Sequence, residues 1–331
     1  MKIAIVDDYT DTARTTPAFA RLAGHEVSVW TDRAPSLETL AERLQDIEVL
    51  ILIRERMQVT DALLSRLPKL KMISHLGIHP NVDVEACTRH GIIFSDGRRT
   101  KRTFSRSLSS TAELTWTLIL ASMRRLPQQV AALKEGVWQL SAGRTLHGKV
   151  LGVYGYAQTG SRVAALGRAF GMDVQVWGRG GSQERAAADG YRVAESREAF
   201  FETSDVLSLH MRLVPETYGL VTAEDLARMK PEALLVNTSR GPLIAPGVLE
   251  AALKAGRPGA AAVDVYDEEP VLGGDHPLLR LDNCICSPHL GYATQEQLEE
   301  IFEVLVDNAL AYAAGEPIGV VNTSVLSGAT T

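Results

Sequence analysis

The chain has 331 residues, 45% apolar and 22% charged, with 34 Lys+Arg against 40 Asp+Glu and a net charge of −6. That is an ordinary globular composition at a length that commonly divides into two domains, and its acidic balance argues against a nucleic-acid partner, which needs a basic footprint. No apolar run approaches the roughly 18 residues of a membrane span, and the opening MKIAIVDD lacks a secretory h-region, so a cytoplasmic protein with no membrane partner is expected.

Apolar strand-like runs alternate with helical patterns along the chain. The first series is Ile3–Asp7, Val27–Trp30, Val49–Ile53, Met72–Ser74 and Ile92–Ser95. The second is Val150–Tyr154, Val174–Trp177, Val206–Leu209, Leu234–Asn237, Ala261–Val265 and Cys284–Ser287. Continuous apolar runs of this length suit parallel strands covered on both faces. Their alternation with helices implies right-handed crossovers and doubly wound α/β sheets. Eleven strands exceed one comfortable sheet, so two are expected. Between the series, Ser110-Thr-Ala-Glu113 reads as a capping box opening a helix from Leu114 to about Leu126. Thr294-x-x-Gln297 opens a second long helix, in which Leu298, Ile301, Phe302, Leu305 and Ala309 recur at helical spacing. Cys87, Cys284 and Cys286 have no CxxC spacing, and an odd count suits a reducing compartment; all three read as buried structural thiols, and no metal is expected.

In Val150-Leu-Gly-Val-Tyr-Gly-Tyr-Ala-Gln-Thr-Gly160, the residues Gly155, Ala157 and Gly160 fall on a GxGxxG template between a strand and a helix. That context gives a weak motif its meaning: a tight turn, close backbone approach to a pyrophosphate, close helix–strand packing, and a helix N-terminus facing phosphate. The next strand ends Trp177-Gly178-Arg179-Gly180-Gly181-Ser182. An acid there would accept from a ribose 2′-OH, whereas an arginine accommodates a 2′-phosphate. With no acid present, Arg179 and Ser182 point to NADP(H) over NAD(H).

Three later segments put a reactive side chain just past a strand: Arg240, Glu269 and His289. Ligands of open α/β sheets gather outside the carboxyl ends of the strands, where all three can converge. An arginine fork can hold a carboxylate and orient a neighbouring carbonyl. A histidine can exchange an oxygen-bound proton near neutral pH, and a glutamate beside it favours imidazolium. Any one alone reads as structural; downstream of a dinucleotide turn, the set reads as machinery for reducing a 2-oxo acid.

With these motifs in order, the chain resembles the D-isomer-specific 2-hydroxyacid dehydrogenase family. The matching segments run from Ala112-Glu113-Leu114 through Gly155–Gly160, Asp205–His210, Val236–Gly241 and Ala262–Pro270 to Ser287–Gly291. The resemblance implies a Rossmann nucleotide-binding domain, residues 104–293, inserted into a flavodoxin-like catalytic domain, residues 1–103 plus 294–331, with hinges and a homodimer through the nucleotide domain. It implies NAD(P)H-dependent reduction of a small anionic 2-oxo acid of the glyoxylate/hydroxypyruvate type to a (2R)-hydroxy acid. Arg240 would bind the carboxylate and His289 would act as acid/base with Glu269 as its partner. Asp264 would sit near the nicotinamide carboxamide, and Tyr156, Thr159, His210, Thr238 and Ser239 along the cofactor. Gly77 and Ile78, in the loop Ser74–Asn81, would offer backbone N–H groups to the substrate.

Two departures stand out. His210-Met-Arg212-Leu replaces the family's usual His-x-Pro-Leu, and extra residues between Gly91 and Ala112 bring Arg98, Arg99, Lys101, Arg102 and Arg106. That basic stretch reads equally as an attractor of anionic substrate or as a solvated loop. Two other activities fit the same residues: reduction of a bulkier aromatic or branched 2-oxo acid, and a dinucleotide-sensing, corepressor-like binding role.

Overall fold

The computed structural model describes residues 1–99 and 107–327. The chain divides into two compact units, Met1–Phe104 with Gln295–Thr331, and Ser105–Thr294.

The first unit is built on five parallel strands, β1 (Lys2–Val6), β2 (Glu26–Val29), β3 (Val49–Leu52), β4 (Met72–His75) and β5 (Ile93–Asp96), in the order β2-β1-β3-β4-β5. This is the flavodoxin-like doubly wound order. Strands β3, β4 and β5 are buried along their whole length; β3 reads as an unbroken apolar run, while β4 and β5 end in the buried polar pairs Ser74-His75 and Ser95-Asp96. The helix Gln295–Ala313 completes this unit, burying Leu298, Ile301, Phe302, Leu305 and Ala309. Its Leu305 carbonyl accepts from the Ser74 hydroxyl at 2.8 Å. Gly97 allows the close fit, since a Cβ there would meet Val304 at 2.1 Å.

The second unit carries seven parallel strands: β6 (Val150–Tyr154), β7 (Asp173–Trp177), β8 (Arg192–Val193), β9 (Val206–Leu209), β10 (Leu234–Asn237), β11 (Ala260–Val263) and β12 (Cys284–Cys286). Their order is β12-β11-β10-β9-β6-β7-β8. Strand order reverses at β6, flanked by β7 on one side and β9 on the other, so a crevice opens outside their carboxyl ends. β8, only two residues long, lies below the length at which an apolar run is visible in sequence.

The capping-box reading of Ser110 is corrected. The helix spans Ser107–Met123, so Ser110 lies inside it, and its hydroxyl donates to the Gly291 carbonyl at 2.9 Å. A hydroxyl three residues before a glutamate looks the same in sequence whether it caps its own helix or bonds outward. The helix also stops at Met123; Arg125 adopts a left-handed φ of 50° and a second helix, Leu126–Lys134, follows. The reading of all three thiols as buried is corrected too: Cys87 is buried, but Cys284 and Cys286 are partly exposed on an edge strand. Of the basic stretch, Lys101, Arg102 and Arg106 lie outside the described residues. Arg98 grips Asp96 through Nε and a terminal nitrogen at 2.9 and 2.7 Å, and Arg99 donates to the Val320 carbonyl at 3.3 Å.

Phe302, 1% exposed, tests how much the C-terminal helix contributes to the first unit. Phe302→Ala should lower its stability by about 3–5 kcal/mol, read as a shifted urea midpoint; an unchanged midpoint would show that this helix is not part of the core.

Candidate active site

The dinucleotide turn follows β6. Gly155 has φ +97°, and a Cβ there would lie 2.6 Å from the His210 carbonyl oxygen, so both conformation and space demand glycine. A Cβ on Gly160 would lie 2.1 Å from the Gly155 oxygen, so the helix Gln158–Ala169 rests directly on the turn. Ala157 is exposed and extended, at φ −124° and ψ −156°. Any residue adopts that conformation, so the middle position needs a small side chain rather than a glycine backbone. Thr159 is partly exposed in the first turn of the helix. This cradle fits a dinucleotide pyrophosphate.

Tyr156 turns inward, 3% exposed, with its hydroxyl donating to Asp189 at 2.6 Å; its backbone alone faces the turn. Ser182 is 6% exposed, and its Oγ accepts from the Tyr156 N–H at 3.4 Å, bracing the turn from behind. Arg179 reaches the Glu216 carbonyl at 2.6 Å. Sequence reasoning missed Arg185, whose guanidinium donates to the Tyr156 carbonyl at 3.0 Å. Its only signal was a second cation six residues past Arg179.

His210 ends β9. Desolvation holds its imidazole down to about 4, and Ser208 Oγ lies 2.9 Å from Nε2, so the ring is neutral near pH 7. Beyond β10, the Thr238 hydroxyl pairs with Thr115 at 2.7 Å and the Ser239 hydroxyl donates to the Leu209 carbonyl at 2.7 Å. The Arg240 guanidinium donates to the Ser239 carbonyl at 2.7 Å. A Cβ on Gly241 would lie 2.2 Å from the Tyr266 carbonyl carbon. The arginine loop is therefore in backbone contact with the loop that carries Glu269.

His289 Nδ1 lies 2.5 Å from Glu269 Oε2, while Glu269 Oε1 accepts from the Tyr266 N–H at 2.9 Å. The carboxylate is thus fixed on one side and fixes the ring on the other. The two side chains are 24% and 31% exposed, within reach of a ligand.

His289 occupies a left-handed backbone well, φ +53°, which costs a non-glycine residue free energy unless its surroundings hold it there. Asp264 is the holder. Fully buried, it accepts from Ser287 Oγ at 2.5 Å, Leu290 N–H at 2.8 Å and Gly291 N–H at 2.8 Å. Burial raises its carboxyl above the ordinary range, and the three donors and His289 oppose that shift. Ser110 and Thr111 take the Gly291 carbonyl at 2.9 Å each, and the Tyr266 hydroxyl takes that of Ser287 at 3.0 Å. Gly77 and Ile78 belong to the other unit. There Gly77, at φ +128°, donates its N–H to Asp96 at 3.3 Å, and a Cβ would meet Arg54 at 2.7 Å.

Replacing Asp264 by Asn turns an amide donor toward backbone N–H groups. Stability should fall by about 1–3 kcal/mol, the cost of unsatisfied buried donors, in the denaturant midpoint of the Ser105–Thr294 unit. A wild-type midpoint would refute the anchoring role.

The model of the family "D-isomer specific 2-hydroxyacid dehydrogenase, NAD binding domain" matches residues 116–291. The chain is 33% identical over 316 residues to a glyoxylate reductase from Thermococcus litoralis, covering 92% of each protein. It is 36% identical over 282 residues to a D-3-phosphoglycerate dehydrogenase from Methanocaldococcus jannaschii, covering 84% of this chain and 52% of that one. A crystal structure of a phosphoglycerate oxidoreductase from Vibrio cholerae superposes with a TM-score of 0.89 at 42% identity, covering 95% of this chain and 99% of that one.

Proposed function

We propose that this chain, which belongs to the D-isomer specific 2-hydroxyacid dehydrogenase family and is an oxidoreductase with a nicotinamide-dinucleotide-binding domain, reduces a small 2-oxo acid of the glyoxylate or hydroxypyruvate type to its (2R)-hydroxy acid. The relatives named glyoxylate reductase, matched over nine-tenths of their length, favour that substrate class. The observation that carries the reading is the His289–Glu269 pair at 2.5 Å. Because Nδ1 faces the carboxylate, Nε2 is the nitrogen left to hold the proton that a developing alkoxide takes up. Glu269 orients the ring. Arg240 supplies the planar fork for the substrate carboxylate.

When bound, the cofactor supplies or accepts the hydride. The turn Gly155–Gly160 would hold its pyrophosphate. The end of β7 carries no acid, and Arg179 stands there beside Gly180 and Gly181, which supports a preference for NADP(H).

We also propose a homodimer. Seven large apolar side chains are exposed between Leu120 and Leu140, Trp138 at 77%. Beside them lies a cavity of about 350 Å³, walled in part by Arg125, Gln128 and Ala142. Two buried atoms of its wall, Ser122 Oγ and Gln128 Oε1, have no hydrogen-bond partner among the described residues. One segment carries both the exposed indole and part of the cavity wall, so a two-fold copy would cover both at once.

His289→Ala should lower kcat by about 100- to 10,000-fold, the usual worth of a general acid, while Arg240→Lys should raise KM and lower kcat, because an ammonium cannot replace the fork. Near-wild-type kcat/KM in either variant, with glyoxylate and hydroxypyruvate, would overturn the assignment. Turnover itself separates an enzyme from a dinucleotide sensor, and kcat/KM with NADH equal to that with NADPH would remove the Arg179 argument. Trp138→Glu should convert the species seen by light scattering from two chains to one; an unaltered mass would discard this dimer face.

A further inference from the structure

We propose that Cys284 and Cys286 form a reversible dithiol–disulfide site that acts on the loop carrying His289. Residues two apart on a strand share a face, and their Sγ atoms lie 3.7 Å apart. Both thiols are free and partly exposed, so a small oxidant can reach them. Strand β12 is an edge strand, bonded to β11 alone. Two residues along a strand span roughly 6.6 Å between Cα atoms, the upper end of the ~4.4–6.8 Å that a disulfide tolerates. Closing the bond at that limit pulls on β12, and an edge strand can buckle to relieve it where a central strand cannot. A disulfide made under such strain is easily reduced, the behaviour of a regulatory bond rather than a structural one.

The buckle would fall where it matters. Cys286 is followed by Ser287, whose N–H donates to the Val263 carbonyl at 2.9 Å, whose carbonyl accepts from Tyr266, and whose hydroxyl donates to Asp264. Moving that residue loosens the grip that keeps His289 in its left-handed well.

The chemistry balances with one co-reactant, a small-molecule disulfide such as glutathione disulfide. Either thiol can donate to the other; with Cys284 as the donor, the Cys286 thiol is held below the ordinary range and is the nucleophile. The Cys286 thiolate attacks one sulfur of the co-reactant. That S–S bond breaks, and one thiol leaves after taking up a proton. Cys284, no longer donating to a thiolate, loses its proton to solvent and attacks the Cys286 sulfur, expelling the second thiol. Two protein thiols are oxidised and one disulfide is reduced to two thiols. Cys87 does not compete, because burial pushes its thiol up to about 12.

The test is peptide mapping of the full-length protein equilibrated with glutathione disulfide and then alkylated. The expected result is loss of two hydrogens confined to the peptide bearing Cys284 and Cys286, reversed by dithiothreitol. Cys284→Ser should trap a mixed disulfide on Cys286, and Cys286→Ser should leave Cys284 unmodified. Glutathione left attached in the wild type, or no bridge across the pair, overturns the site. The mass readout needs no substrate, so it stands apart from the proposed reduction. With a turned-over substrate, the bridged form should lose up to about 100-fold in kcat, the effect of a small misplacement of a reacting group, and the Cys284→Ser/Cys286→Ser double variant should be immune. Full turnover by the bridged form would overturn the coupling to His289.

Discussion

A single buried carboxylate sets the geometry on which this site depends. Asp264 takes three hydrogen bonds from the Ser287–Gly291 loop, and those bonds offset the cost of holding His289 at a positive φ. Without that backbone turn the imidazole would not face Glu269. The glutamate is itself pinned by the Tyr266 N–H, and the Tyr266 hydroxyl returns to the histidine loop. Histidine, glutamate and their supports thus form a closed ring of hydrogen bonds that runs from the buried Asp264 and Tyr266 to the partly exposed His289 and Glu269, and for its buried members a low dielectric raises the cost of losing a bond.

The glycines show how little of a nucleotide-binding turn is free to vary. At Gly155 and Gly160 a single methyl group would collide with backbone, so neither position has an alternative. Ala157 has an ordinary extended backbone, and there the chain has taken a side chain. Gly241 belongs with the first two: it lets the arginine loop touch the backbone of the glutamate loop, which fixes the spacing of two charged side chains through the main chain rather than through flexible side-chain contacts.

Strands were the legible part of the fold. Runs such as Val49–Leu52 and Leu234–Asn237 are buried on both faces and carry no polar interruption until their ends, so composition alone exposes them. The candidate residues just past those ends stood out because ligands of a doubly wound sheet gather outside its carboxyl ends. What sequence could not reveal was long-range pairing. Nothing local tells Asp264 to bond residues some 25 positions later, and Ser110 carried a capping pattern while serving Gly291 instead. Nor could sequence reveal that the Ser182 hydroxyl accepts from the Tyr156 N–H of the turn. Thiols on an edge strand looked the same as thiols in a core.

Because β12 has only one strand beside it, the loop that follows is held mainly by side chains reaching in from Asp264, Tyr266, Ser110 and Thr111. The backbone ladder that protects the interior strands is thin there. Local opening is cheapest where backbone pairing is sparse, so the amide protons of Ser287, His289, Leu290 and Gly291 should exchange with solvent through a local event well short of global unfolding. On warming, such a molecule would lose its His289–Glu269 pairing while its circular dichroism still reported an intact sheet. The sheet and the His289 loop are separately stabilised here, and the loop melts first.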